Sequence, residues 1–184
     1  MCSSDLLDDP AGRYALSAGV VAADETLPMW GGIAVYEKTA GTSTYDAVQG
    51  GAAPTIGRFT DALGLAGKKV AGFSVFNGSY SVPTTPQSPV PTAVAGNSFN
   101  FVRKGTNNRI VVKCSAGVIA LAGSANPQAF SWDFTNGQLI PGDGTDEFTA
   151  TLIQVDTNGA VVVYDPVTGY ATWNTSANVA VIQI

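Results

Sequence analysis

Carboxylates are the side chains of this chain best suited to acid/base work or to holding a metal ion. Asp143, Asp146 and Glu147 crowd into Pro141–Glu147 (PGDGTDE). Oxygen ligands at that density suit calcium, a hard ion that takes roughly six to eight of them. The spacing is not that of an EF-hand loop, which needs more carboxylates and a distal Glu. A solvated turn between strands is the alternative reading. No metal and no cofactor is assigned. Paired carboxylates can also hydrolyse glycosides. Asp133 beside Trp132 and Glu37 beside Tyr36 are the candidates, but both sit in ordinary alternating runs. No motif places a second carboxylate near either.

The 184 residues include no histidine. The commonest general base and metal ligand is therefore missing. No Ser-His-Asp or Cys-His site can be built within the chain. Cys2 and Cys114 do not make a disulfide framework. Cys114 lies in the apolar run IVVKCSAGVIAL and reads as a small buried hydrophobe. The expectation is a protein that is not an enzyme.

Binding is the remaining chemistry, and three segments are candidate partner contacts. The first is Pro28, Met29 and Trp30, an aromatic anchor bracketed by Pro28 and Gly31-Gly32 and expected to be exposed. Core burial is the competing reading for a lone Trp. The second is the proline-rich strap from Val82 to Pro91, with Pro83, Pro86 and Pro89, where ring rigidity lowers the entropy cost of ordering an extended segment. The third is the basic group Arg103, Lys104 and Arg109, joined by Lys113. A charged tip of this kind is either solvated or an electrostatic contact to an acidic partner. Trp132 and Trp173 lie in strand-like runs and read as core.

The elements that position these residues are strands. Phe148–Ile184 reads FTATLIQVD-TNG-AVVVYD-PVTG-YATWN-TSANVAVIQI. This predicts four strands in an antiparallel meander, turning at Asn158-Gly159, at Gly169 and at Asn174–Asn178. Upstream, residues 13–23 are expected to be extended, and Ile33, Val35 and Glu37 to alternate with Ala34 and Tyr36 along a strand. Residues 39–57 read as loop, Arg58–Leu65 as a possible helical turn, and Val70–Phe76 as a strand ending in an Asn77-Gly78 turn. NSFNFVRK and RIVVKCS are expected to pair as a hairpin around residues 105–108. GVIALAG is expected to be a further strand, and Asn136-Gly137 and Pro141-Gly142 to be turns. Roughly nine to eleven short strands result, so the predicted class is all-β: an antiparallel sandwich or barrel with little helix.

Composition agrees. Hydrophobic residues make up 45% and charged residues 12%, with 21 Gly and 10 Pro spread along the chain, which suits one β-rich domain over residues 7–184. MCSSDL, residues 1–6, reads as a leader translated from a sequencing-adapter end, outside the folded domain. A net charge of −5 argues against nucleic acid as a partner. No apolar run reaches the roughly 18–20 residues that span a bilayer. All nine Lys and Arg lie at or before Lys113, while Asp133, Asp143, Asp146, Glu147, Asp156 and Asp165 follow.

The succession GGIAV, AGFSVFNG, a proline-rich link, NSFNFVRKG, IVVKCSAGVIAL and FTNGQLIPG, closed by VVVYDPVTGYATWN and AVIQI, resembles the structural cement or head-decoration proteins of tailed bacteriophages. The resemblance runs from about Leu27 to Ile184 and rests on the style of the β runs, not on a catalytic signature. It implies a virion protein on the outer capsid surface that ties neighbouring major capsid subunits together without chemistry. It also implies a homo-oligomer, dimer or trimer, assembled in the host cytoplasm, with neither membrane nor nucleic acid as a partner. Such a protein stabilises a shell by mass action and by many modest contacts. The rival class is a tail-fibre or spike receptor-binding module, also all-β and acidic. A longer chain, trimeric repeats or an aromatic sugar-binding stripe would favour it, and the sequence has none of these.

Overall fold

The computed structural model describes residues 16–38, 54–58, 70–75, 90, 92–144 and 147–184. The strand succession is β1 (Leu16–Val21), β2 (Ala34–Lys38), β3 (Thr55–Arg58), β4 (Gly72–Ser74), β5 (Ser98–Arg103), β6 (Arg109–Lys113), β7 (Gln128–Asp133), β8 (Gln138–Pro141), β9 (Phe148–Asp165) and β10 (Tyr170–Gln183). One short helix, α1 (Ala116–Ile119), follows β6. The class is therefore mostly β, as the density of short β runs predicts. No helix among the described residues is long and apolar enough to cross a membrane.

The strands divide into two sheets. The first five close into a barrel in the order β1-β3-β2-β4-β5, antiparallel except for the parallel pair β1 and β3. The other five form an antiparallel sheet in the order β6-β10-β9-β7-β8. That sheet curls until its two edge strands meet at a single bridge, Cys114 to Leu139. Val118 of α1 is fully buried beside them. One hydrophobic core joins the barrel to the sheet. Phe73 of β4 meets Trp132 of β7 and Phe148 of β9 edge-on, each at 5.7 Å between centroids, a geometry aromatic quadrupoles favour.

Several expectations are corrected. Residues 98–113 do not pair as a hairpin: β5 bonds to β1 and β4 in the barrel, while β6 bonds to β10 in the sheet. The polar connection between them is instead the crossing from one sheet to the other. Asn107 there takes a positive φ of 62°, and its Oδ1 accepts a 2.6 Å bond from Gln183 Nε2. The run GVIALAG, expected to be a strand, is the end of α1 followed by a turn over residues 120–123, with Val118 buried against the sheet. Residues 55–57, read as loop, and Arg58, read as opening a helical turn, form β3; residues 59–65 lie outside the described set. The strand expected over Val70–Phe76 is shorter, and Asn77-Gly78 lies outside the described residues. Ile33, Ala34, Val35 and Tyr36 are all buried, so the expected alternation is absent, since β2 has no solvent face along this stretch.

The C-terminal meander is one long hairpin instead of four strands. Gly169 turns it with φ 75°, as expected. Residues 158–159 and 174–178 do not turn the chain. They face each other as paired irregularities: Asn174 pairs with Val161, Ala177 with Gly159, and Val179 with Asp156. An extra residue on β10 is thus followed by an extra residue on β9, and the register recovers. Asx contacts satisfy the displaced donors, with Asn158 N–H bonded to Asp156 Oδ1 at 2.9 Å and Ser176 N–H to Asn174 Oδ1 at 3.0 Å. Gly159 is required for a steric reason: a Cβ there would lie 2.1 Å from Val179 Cγ2. A third irregularity, between Val181 and Ile182, leaves Ile153 of β9 exposed.

Beyond this bend the ribbon packs on two sides. Val161 and Val163 join Val111, Ala177 and Val179 in a small separate cluster. The alternate residues Val162 and Tyr164 pack with the main core.

Candidate functional site

The site begins with a clamped turn. Ser74 Oγ donates to Trp30 C=O at 2.6 Å and accepts from Ile33 N–H at 3.1 Å. Gly32 N–H donates to Ser74 C=O at 2.8 Å. Trp30-Gly31-Gly32-Ile33 is thereby fixed against β4. Met29 bonds to Ala93 through both backbone groups. Met29 is fully buried and Trp30 is 9% exposed, which corrects the reading of this pair as an exposed anchor and agrees with the competing reading of Trp30 as core. The indole stacks on Tyr164 of the ribbon, 5.5 Å between centroids. The Arg58 guanidinium lies 5.7 Å from the same ring.

A groove of roughly 340 Å³ opens at this junction. Barrel-side residues Leu27, Trp30 and Arg58 meet Val111 and Lys113 of β6, Phe134–Gly137 of the β7–β8 turn, and Val161–Tyr164 of β9. Among the described residues the lining includes two cations and no carboxylate. Arg58 donates through its backbone N–H and its Nε to the two oxygens of Glu25, at 2.9 and 3.3 Å. Glu25 is nearly enclosed, so the guanidinium is held from behind. Lys113 Nζ donates to Asn136 C=O at 2.9 Å, an uncharged acceptor that leaves its charge uncompensated at that contact.

Pro83, Pro86 and Pro89 lie outside the described residues. Val90 of the strap is buried, as are Thr92 and Ala93 just beyond it. Arg103 is fixed by Glu37 through two bonds of 3.1 and 2.6 Å and stacks over Phe101 at 5.4 Å. It belongs to the barrel, whereas Arg109 and Lys113 flank β6 in the other sheet. Arg103, Lys104, Arg109 and Lys113 therefore do not form one hairpin tip. Pro28 is half-buried.

The carboxylates that suggested chemistry are engaged in structure. Asp133 closes the β7–β8 turn, accepting from Thr135 and Asn136 N–H, both at 3.0 Å, from Asn136 Nδ2 at 2.7 Å, and from Gln138 Nε2. Burial raises its pKa, but these donors outweigh burial and hold it below the ordinary 3.8. Asp143 accepts from Ser131 Oγ at 2.9 Å, and Glu147 from Gly144 N–H at 2.7 Å. Asp146 lies outside the described residues, and no group of three metal-binding side chains occurs among those described. Cys114 is buried, and burial pushes its thiol up to about 11.

The groove was missed in the sequence because its walls come from distant segments. The one local signal was Trp30 between Pro28 and Gly31-Gly32. Comparison of the chain with protein-family models, curated proteins and solved structures finds no match.

Proposed function

We propose that the protein is a structural binding protein of the capsid-decoration type, attaching to the outer face of a tailed-phage shell and bridging neighbouring major capsid subunits. The observation that carries this reading is the preformed groove between barrel and sheet, whose walls include Trp30, Ile33, Phe134, Val162 and Tyr164 of the main core and Val111, Val161 and Val163 of the smaller cluster. A rigid, already ordered surface loses little entropy on association, which suits many identical modest contacts on a lattice. The engagement of Asp133, Glu37, Asp143 and Glu147 in turns and ion pairs fits a role in binding better than acid/base work.

The test is co-sedimentation of the purified full chain with empty shells of the virus that encodes it, followed by thermal challenge of the shells. Saturable binding and a raised shell melting temperature are expected. Failure to bind these shells, together with binding to host cell surfaces, would transfer the assignment to a receptor-binding module.

A further inference from the structure

The groove has the opposite charge sign to the molecule around it. The chain carries a net charge of −5, yet the described residues lining the groove include Arg58 and Lys113 and no acid. We infer that this groove holds an acidic, extended peptide segment of the partner protein, with a carboxylate side chain between Arg58 and Lys113 and a small apolar side chain against Val111 and Val163.

Arg58 is built for this. Its Nε and backbone N–H are committed to Glu25, which fixes the plane of the guanidinium and leaves the two Nη groups as a fork without an acceptor among the described residues. A planar fork of that kind recognises a carboxylate through two parallel hydrogen bonds. The ring of Trp30 limits its movement on another side. Lys113 supplies a second positive charge, its ammonium donating among the described residues to the Asn136 carbonyl. The apolar lining gives specificity for a peptide over a free anion. A volume of about 340 Å³ sits at the small end for ligand sites, the scale of a few side chains and not of a domain.

This inference rests on the binding reading above and names the chemistry of its partner. The probe is a capped peptide, acetyl-Gly-Asp-Val-Asp-Gly-amide, titrated into the ¹⁵N-labelled full chain with amide and indole resonances observed. A control peptide carries Asn for both Asp, and sodium acetate tests a free carboxylate. The Trp30 indole N–H and the backbone amides of residues 111–113 and 135–137 should shift with the acidic peptide and stay unmoved with the Asn peptide. Acetate should act at least about tenfold more weakly. Lys113→Gln should weaken the acidic peptide about tenfold, the effect of losing one charge-assisted bond. Arg58→Lys should weaken it similarly while keeping the charge. If Arg58→Lys fails to fold, Lys113→Gln alone decides.

Equal shifts with both peptides, or none with the acidic one up to about 10 mM, well above a millimolar affinity, would overturn the inference. So would acetate matching the peptide. Shell binding by wild type is scored separately. Shells bound without peptide shifts leave the capsid reading standing and remove this one. Peptide shifts without shell binding do the reverse.

Discussion

Trp30 and Tyr164 lie face to face, 5.5 Å between ring centroids and 14° between planes. One ring belongs to the turn entering the barrel and the other to the distal half of the β9–β10 ribbon. Their contact pins the ribbon across the junction of the two sheets, so the shape of the groove depends on it.

Trp30→Ala should therefore destabilise the whole chain, by about 3–5 kcal/mol for a buried aromatic. For a domain of this size the melting temperature should fall by on the order of 10 °C. Trp30→Phe should lose much less. Differential scanning calorimetry separates the outcomes, and a Trp30→Ala protein as stable as wild type would return Trp30 to the surface.

Gly159 and Gly72 differ in a way that a double-mutant cycle reads. Gly159→Ala forces a methyl onto the side chain of Val179, at about 1–3 kcal/mol for overpacking. Val179→Ala removes the two methyls at 2.1 and 2.5 Å and leaves its Cβ at 2.9 Å, which relieves most of the clash, so the double variant should be more stable than the sum of the two single losses. Gly72→Ala meets the carbonyl oxygen of Val102 at 2.0 Å, and no side-chain truncation relieves a backbone clash. Urea denaturation should show rescue for the first and a larger, unrescued loss for the second.

Ser74→Ala removes the hydroxyl that bonds Trp30 C=O and Ile33 N–H in a buried setting. Leaving such groups unpaired costs roughly 1–3 kcal/mol. Faster hydrogen exchange at Ile33 N–H, alongside the lower stability, would locate the loss at this turn.

Acid should weaken the fold through Asp133. Its pKa in the folded chain lies below 3.8, so the folded state favours the ionised form. That contribution is complete above the unfolded value and is lost as pH falls through the lower, folded one. Asp133→Asn should lower stability at pH 7 and flatten the decline below about pH 4, the ordinary carboxylate range. Chemical denaturation at stepped pH measures both effects.

The thiol of Cys114 should be inert in the folded chain. Burial raises its pKa to about 11 from 9.0, keeping it neutral at pH 7. The neutral-thiol contribution to stability is present below the unfolded value and lost as pH rises through about 11. Iodoacetamide labelling read by peptide mass spectrometry should find Cys114 unmodified natively and modified in denaturant. Rapid native labelling would show that it is accessible.

The sequence by itself determined the all-β class, the hairpin turns at Asn136-Gly137 and Gly169, and the burial of Cys114 and Trp132. Each follows from short-range chemistry: strand-favouring side chains between residues that accept a turn. Only the tertiary structure decided which strands pair. FVRK and RIVVK look like two arms of a hairpin, but neighbours in sequence compete with distant edges, and β1, β4 and β10 supply the partners. Asn158-Gly159 reads as a turn, but Val179 across the ribbon gives that glycine a steric role within a strand. GVIAL has strand-like residues, but Ala116–Ile119 form a helical turn that buries Val118 in the core. Trp30 looked exposed between its flanking Pro and Gly residues, until Ser74 and Tyr164, far along the chain, enclosed it. The groove belongs to this second category, because charge at a site depends on which distant side chains share a wall.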